Sequence, residues 1–214
     1  MKRSAAVVGA ALVVLVHAVG VAVAHPHVWV TFRSEILYAA DGRMSGVRHA
    51  WTFDDMFSAY ALQGIAHARK GFYTREELRS LAEVNMTSLK EYDYFTFAKA
   101  DGRTAAFSGP VDYWLEYKDP SLTLHFTLPL KTPVAARAVA IDIYDPSIFV
   151  DFAFATDRPA TLVGAPQGCR LALERPREPT AAEQQRLSGL DAVPLDKSDT
   201  WGATFANKIR VTCP

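Results

Sequence analysis

The chain has 214 residues and a mass of 23.5 kDa, enough for one large domain with a substantial core. Half of the residues are apolar and 21% are charged, which excludes an intrinsically disordered chain, a collagen-like repeat and a dense disulfide scaffold. Lys and Arg together number 23, as do Asp and Glu, so bulk charge gives no reason to bind nucleic acid or an anionic membrane.

Met1-Lys2-Arg3-Ser4 is followed by an apolar run over 5–24 that ends in Ala22-Val23-Ala24. A basic start, an apolar stretch and a small-x-small ending predict a signal peptide over 1–24, cleaved after Ala24. The run is also long enough for an uncleaved anchor, but the Ala-Val-Ala ending and the abrupt change at His25 favour cleavage. In a bacterium the product is then periplasmic or secreted. No later stretch is apolar for 18 residues, so no membrane span is expected after cleavage. Loss of Lys2 and Arg3 leaves 21 basic side chains against 23 acidic ones.

The mature chain opens with a predicted strand over 27–38, in which Val28, Val30 and Phe32 alternate with Trp29, Thr31 and Arg33. Asp41-Gly42 signals a hairpin, with a return strand over 47–53. A helix is expected over 57–69, with Gly71 as its stop. Thr74 and Glu77 form a capping-box pattern ahead of a second helix running to about Lys90. From Tyr94 onward the pattern is β: strands are expected up to 97, over 104–107, 111–117, 122–128, 134–144 and 148–155, then at 162–163 and 170–174. Turns are expected at Asp101-Gly102, Asp119-Pro120 and Asp145-Pro146-Ser147. A second capping box, Thr180 to Glu183, opens a short helix, and a small strand follows near Ile209-Arg210-Val211. The fold class is therefore α+β, a mostly antiparallel β-sheet with an early helical pair and a short C-terminal helix. Residues 25–174 are read as one α+β domain and 175–214 as a Pro-bounded C-terminal extension. In an oxidising compartment the isolated pair Cys169 and Cys213 is most simply a disulfide that ties this extension back.

His25-Pro26-His27 is the most specific chemical feature. Side chains at i and i+2 of a strand share a face, and imidazoles suit zinc, copper and nickel. Pro26 has no amide proton, which excludes the square-planar amino-terminal copper or nickel motif. The competing reading makes both histidines ordinary polar residues at a chain start. Candidate co-ligands are His49, Asp54 and Asp55, with His67, Asp145 and Trp51 as alternative or supporting positions. Each has a plainer role available: a helix cap for Asp54 or Asp55, a turn for Asp145, a surface position for His67 and for His125. No HxxxH or HExxH spacing, nucleophile elbow, phosphate loop or dinucleotide fingerprint occurs, and the protein is read as a non-enzyme.

Four stretches, His25-Pro26-His27-Val28-Trp29-Val30, Trp51 to Ser58, Tyr92 to Thr96 and Ile143 to Ser147, resemble the bacterial domain-of-unknown-function 1007 family over essentially the whole mature chain. The resemblance implies a periplasmic component of an uncharacterised ABC-type transport system, in a family often encoded beside nickel/cobalt transporters. The expected function is a periplasmic accessory protein that binds a divalent metal (nickel, cobalt or zinc) and supports an inner-membrane metal transporter. The expected ligands are His25, His27, His49, Asp54 and Asp55. A metal-free interaction module docking on a transporter through an aromatic β face is the alternative. A copper enzyme with an N-terminal histidine brace, with His49, His67 or His125 across the metal, is a third reading.

Overall fold

The computed structural model describes residues 27–188 and 201–214, apart from the Ser188 side chain. The expected signal peptide and His25 lie outside the described residues. Among those described, eleven strands form two sheets that share one core.

The first sheet is built on the hairpin of β1 (Val28–Tyr38) and β2 (Met44–Phe53). Val28, Val30, Phe32, Ser34 and Ile36 of β1 point inward and are buried, while Trp29, Thr31 and Arg33 point out, the alternation the sequence predicts. After β2 come α1 (Asp55–Ala61) and α2 (Arg79–Leu89), then β3 (Thr96–Ala100), β4 (Arg103–Thr104), β5 (Val111–Lys118) and β6 (Ser121–Val134). β6 buries Leu122, Leu124, Phe126, Leu128 and Leu130 on one face. It pairs with β2 on one side and β5 on the other. At Gly46 the two strands come so close that a Cβ would lie 2.5 Å from the Leu128 carbonyl oxygen, so only glycine fits. The free edge of β1 takes two short parallel strands in succession, β8 (Val150–Phe154) and β9 (Ala160–Val163).

The second sheet has the order β10-β11-β7-β3-β4, with β7 at Ala138–Ile143, β10 at Arg170–Glu174 and β11 at Asn207–Thr212. All its pairings are antiparallel. The helix α3 (Ala181–Ser188) lies between β10 and β11 in the chain. The two sheets face each other across an aromatic cluster: Trp51 and Phe126 of the first sheet, Phe152 on β8, and Phe95 leading into β3. The expected mostly antiparallel α+β fold with early helices and a short late helix is what forms.

Several details differ from the sequence reading. The first helix stops at Ala61, not Arg69, because Gly64 takes a left-handed φ of +78° and the chain turns there. Tyr94 and Phe95 are not strand: with Asp93 they form a left-handed turn (φ +48° to +52°) that drives both aromatic rings into the core before β3 begins. The C-terminal segment is more than a packed-back extension. β11 sits inside the second sheet, hydrogen-bonded to β10 and β7, with Ile209 and Val211 buried. Both capping-box hydrogen bonds form, Glu77 N–H donating to Thr74 Oγ1 at 3.2 Å and Glu183 N–H to Thr180 Oγ1 at 3.3 Å, but the first closes a turn, and α2 begins only at Arg79, with Leu78 as its N-cap. The disulfide Cys169–Cys213 is present and links the start of β10 to the end of β11.

Candidate functional site

One end of the sandwich gathers most of the chemically distinctive residues. The His27 N–H donates to the Phe149 carbonyl at 2.9 Å, and the two rings lie 4.8 Å apart. Trp29 and Asp54 are joined twice: Asp54 N–H donates to the Trp29 carbonyl at 3.0 Å, and Trp29 N–H to Asp54 Oδ2 at 3.0 Å. Asp54 also caps α1, accepting the Phe57 N–H at 2.8 Å on Oδ1, a role its place before the helix predicts. Asp55 is exposed and accepts the Ser121 hydroxyl at 3.1 Å. Asp145 is buried and builds its turn: Oδ1 takes the N–H and hydroxyl of Ser147 at 2.7 Å, and Oδ2 the Val150 N–H at 2.9 Å. Around this end Trp29, Met56 and Phe149 expose 45%, 69% and 47% of their surface, an apolar rim beside imidazole and carboxylates.

The sequence profile of the family described as "Protein of unknown function (DUF1007)" matches residues 10–213. The chain belongs to this family. It is also similar to an uncharacterized protein of Haemophilus influenzae, with 23% identity over 194 residues, 89% of this chain and 91% of the relative.

The four stretches that carry the family resemblance are far apart in sequence, yet backbone contacts join them into one chain. The Tyr144 N–H donates to the Phe95 carbonyl at 3.2 Å. Asp145 holds Val150, Phe149 holds His27, and Trp29 holds Asp54. Residues 92–96, 143–147, 27–30 and 51–58 are therefore linked in series, from His27 at the end of the sandwich to Thr96, which lies against His49 in the core.

The other expected ligands do not join them. His49 faces the core, 1% exposed, with Nδ1 2.9 Å from Ser34 Oγ and Nε2 3.2 Å from Thr96 Oγ1. It pairs in register with Ser34, seven residues along β1 from His27, about 23 Å at ~3.3 Å per residue. His49 and His27 cannot share an ion, and neither a ligand shell nor a brace can use both. The reason is parity: on β2 the odd positions 47, 49, 51 and 53 all point inward. Trp51 is likewise the centre of the core, 1% exposed. His67 lies in the loop after α1 and not on a helix, with Nδ1 3.2 Å from the Ile65 carbonyl and its ring against Tyr73. His125 is on the outward face of β6, as expected, but stacked on Trp114. Among the described residues no three His, Cys, Asp or Glu side chains form a ready metal cage, and no helix is long and apolar enough to cross a membrane.

Burial pushes the His49 pKa down to about 3, because a charged imidazole in the core loses its hydration. The folded protein therefore keeps His49 neutral while the unfolded chain protonates it near pH 6.5. The stability that depends on a neutral His49 is complete above pH 6.5 and is lost progressively as pH falls from 6.5 toward 3. Between pH 7 and 5 this costs about 2 kcal/mol. We expect guanidinium unfolding to show that loss in the wild type and not in His49→Gln, with imidazole nitrogen shifts reporting a neutral ring at pH 5. An equal pH dependence in both proteins would refute it.

A second concave feature lies on the outer face of the first sheet, a groove of about 460 Å³ lined by Arg33, Arg48, Ala50, His125 and Arg158 among others. The sequence reading did not single out its arginines. The outward parity of Arg33 on β1 and Arg48 on β2 was available as a signal; the place of Arg158, on the loop between β8 and β9, was not.

Proposed function

We propose that this protein is a periplasmic accessory that binds a divalent metal ion as cargo and supports a membrane metal transporter. The observation that supports the reading is that His27, Asp54 and Asp55 share one end of the fold, where two of the family-like stretches meet and a third is tied in through Asp145 and Phe149. The proposed donors are the imidazoles of His25 and His27, with Asp55 or Asp54 as a carboxylate partner. His25 enters from the sequence alone. Asp54 sits opposite Trp29, two residues from His27, about 6–7 Å along the strand. Asp55, with one recorded hydroxyl contact, is the less committed of the two carboxylates. Nickel, cobalt and zinc all accept imidazole with carboxylate, and an open shell suits a carrier that must release its ion. The Cys169–Cys213 disulfide supports an oxidising compartment, in keeping with export through the expected signal peptide.

Metal ions bind the neutral imidazole and compete with protons for its nitrogen, so binding weakens in acid. We expect calorimetric titration of the mature protein with nickel, cobalt and zinc to show binding at pH 7.5 that falls at least tenfold at pH 5.5. The double variant His25→Ala/His27→Ala should abolish it, and Asp55→Asn should weaken it. No heat with any of the three ions would sink the metal reading. The exposed Trp29, Met56 and Phe149 rim favours the second reading, a metal-free docking face. In that case the double histidine variant keeps its transporter partner in pull-down while Trp29→Ala/Phe149→Ala loses it.

A further inference from the structure

The groove on the outer face of the first sheet is independent of the end that holds His27. One rung of that sheet runs Trp114 on β5, His125 on β6, Ala50 on β2 and Arg33 on β1, each pair in direct register. The planar groups at one end of this rung are already stacked. The Arg75 guanidinium lies 4.3 Å from the Trp114 ring centre, and the Trp114 and His125 rings are 4.5 Å apart and within 6° of parallel. The stack stops at Ala50, whose methyl group is too small to continue it. The next planar group on the rung is the Arg33 guanidinium, on a strand two spacings from β6, about 10 Å away. The gap over Ala50 is therefore walled by an imidazole on one side and a guanidinium on the other.

The lining of this groove is rich in arginine. Arg33, Arg48 and Arg158 line it with one carboxylate, Glu35, and two acids stand just outside the lining: Glu116, 3.3 Å from His125 Nε2, and Asp157, 3.5 Å from Arg158 Nε. Two of these arginines, Arg33 and Arg48, are also held in place. Arg33 Nε donates to the Asp157 carbonyl at 3.1 Å, which leaves its two terminal nitrogens for another acceptor. Arg48 is anchored on Glu35 at 2.6 Å. Arg158 is carried on the loop that interrupts pairing along the β1 edge, and its contact to Asp157 is a loose 3.5 Å. Guanidinium groups fixed in position and aimed into a notch bind oxyanions bidentately with little loss of side-chain freedom.

We propose that this groove binds a small organic or inorganic polyanion through carboxylate or phosphate oxygens, with the anion seated over Ala50 between His125 and Arg33. The net positive lining asks for at least two negative charges. The width asks for a compact molecule, not a polymer.

The test uses the mature protein with the metal-free probes citrate and pyrophosphate, with acetate as the single-charge control, at constant ionic strength. Calorimetry is expected to show binding of citrate, pyrophosphate or both, and at least tenfold weaker binding of acetate. Citrate alone identifies a carboxylate ligand and pyrophosphate alone a phosphate ligand. In ¹H–¹⁵N spectra the Trp114 indole and Arg33 Nε signals should shift with the tighter probe. Arg33→Gln/Arg158→Gln should weaken binding at least tenfold, and Ala50→Leu should block it by filling the notch. If Ala50→Leu fails to fold, the arginine pair still decides the matter. Lys118→Gln, a basic position on β5 outside the groove, should bind as wild type. His25→Ala/His27→Ala should also leave anion binding intact, which keeps this result separate from the metal reading. The proposal is overturned if neither polyanion binds, if the arginine pair binds as wild type, or if Lys118→Gln loses as much as it does.

Discussion

Replacement of Trp51 by alanine is expected to remove about 3–5 kcal/mol of folding stability. Trp51 is among the largest fully buried side chains and joins both sheets. Its ring meets Phe126 edge-on at 4.8 Å and Phe152 at 4.9 Å, and lies nearly parallel to Phe95 at 6.3 Å. Truncation removes the apolar area that the indole buries, and it also breaks four ring contacts at once, the fourth with His49 at 5.6 Å. The cavity would be lined by rings anchored on separate strands, which cannot all move in to close it. One term works the other way. The indole Nε1 has no hydrogen-bond partner among the described residues, and an unpaired buried donor is costly. Trp51→Phe keeps most of the packing and removes that donor, so its loss should be clearly smaller than that of Trp51→Ala. Guanidinium unfolding of the two variants checks both statements. A Trp51→Ala loss below 1 kcal/mol would mean that the sheets are not held together there.

Removal of the disulfide is the second large effect. Cys169 and Cys213 are 44 residues apart in sequence, and closing a loop of that size restricts the unfolded chain by about 4 kcal/mol in the chain-entropy treatment. The bond also has a local task. Among the described residues β10 is an edge strand, with every residue exposed or only partly buried and β11 as its sole neighbour in the sheet. Such a strand gains little from burial and is prone to fray. We expect Cys169→Ala/Cys213→Ala, or the wild type in reductant, to unfold at lower denaturant. Amide exchange should rise first along β10, before β7 and β3 respond. An unchanged unfolding midpoint after complete reduction would count against this account.

Much of the fold was legible because its signals are local. The alternation of Val28, Val30 and Phe32, the Asp41-Gly42 turn, the two capping boxes and the bounds of β10 each depend on a few neighbouring residues. The two-sheet arrangement was not legible, because it rests on β7 meeting β3 and β11 from distant parts of the chain. The left-handed turn at 93–95 escaped for the same reason. Tyr94 and Phe95, unlike Asp93, have no intrinsic preference for positive φ, and it is the core around Phe95 that holds them there. The candidate site divides along the same line. His27 and Asp54 lie at one end of the hairpin, as adjacency in the hairpin suggested. His49 was grouped with them on adjacency too, although the parity of Val47, His49, Trp51 and Phe53 already pointed it inward. Adjacency of strands says which elements touch; parity and register decide which side chains do.

The position of β11 has a consequence for the order in which the molecule can be made. Its six residues, Asn207–Thr212, follow every other described strand in the chain, yet they fill the slot between β10 and β7. Until β11 has been synthesised, both neighbours present an open backbone edge, and Ile141 and Ile143 lack the cover that Ile209 and Val211 supply. The nascent polypeptide thus cannot complete its second sheet before β11 emerges, and the disulfide that ties β10 to β11 closes only after that.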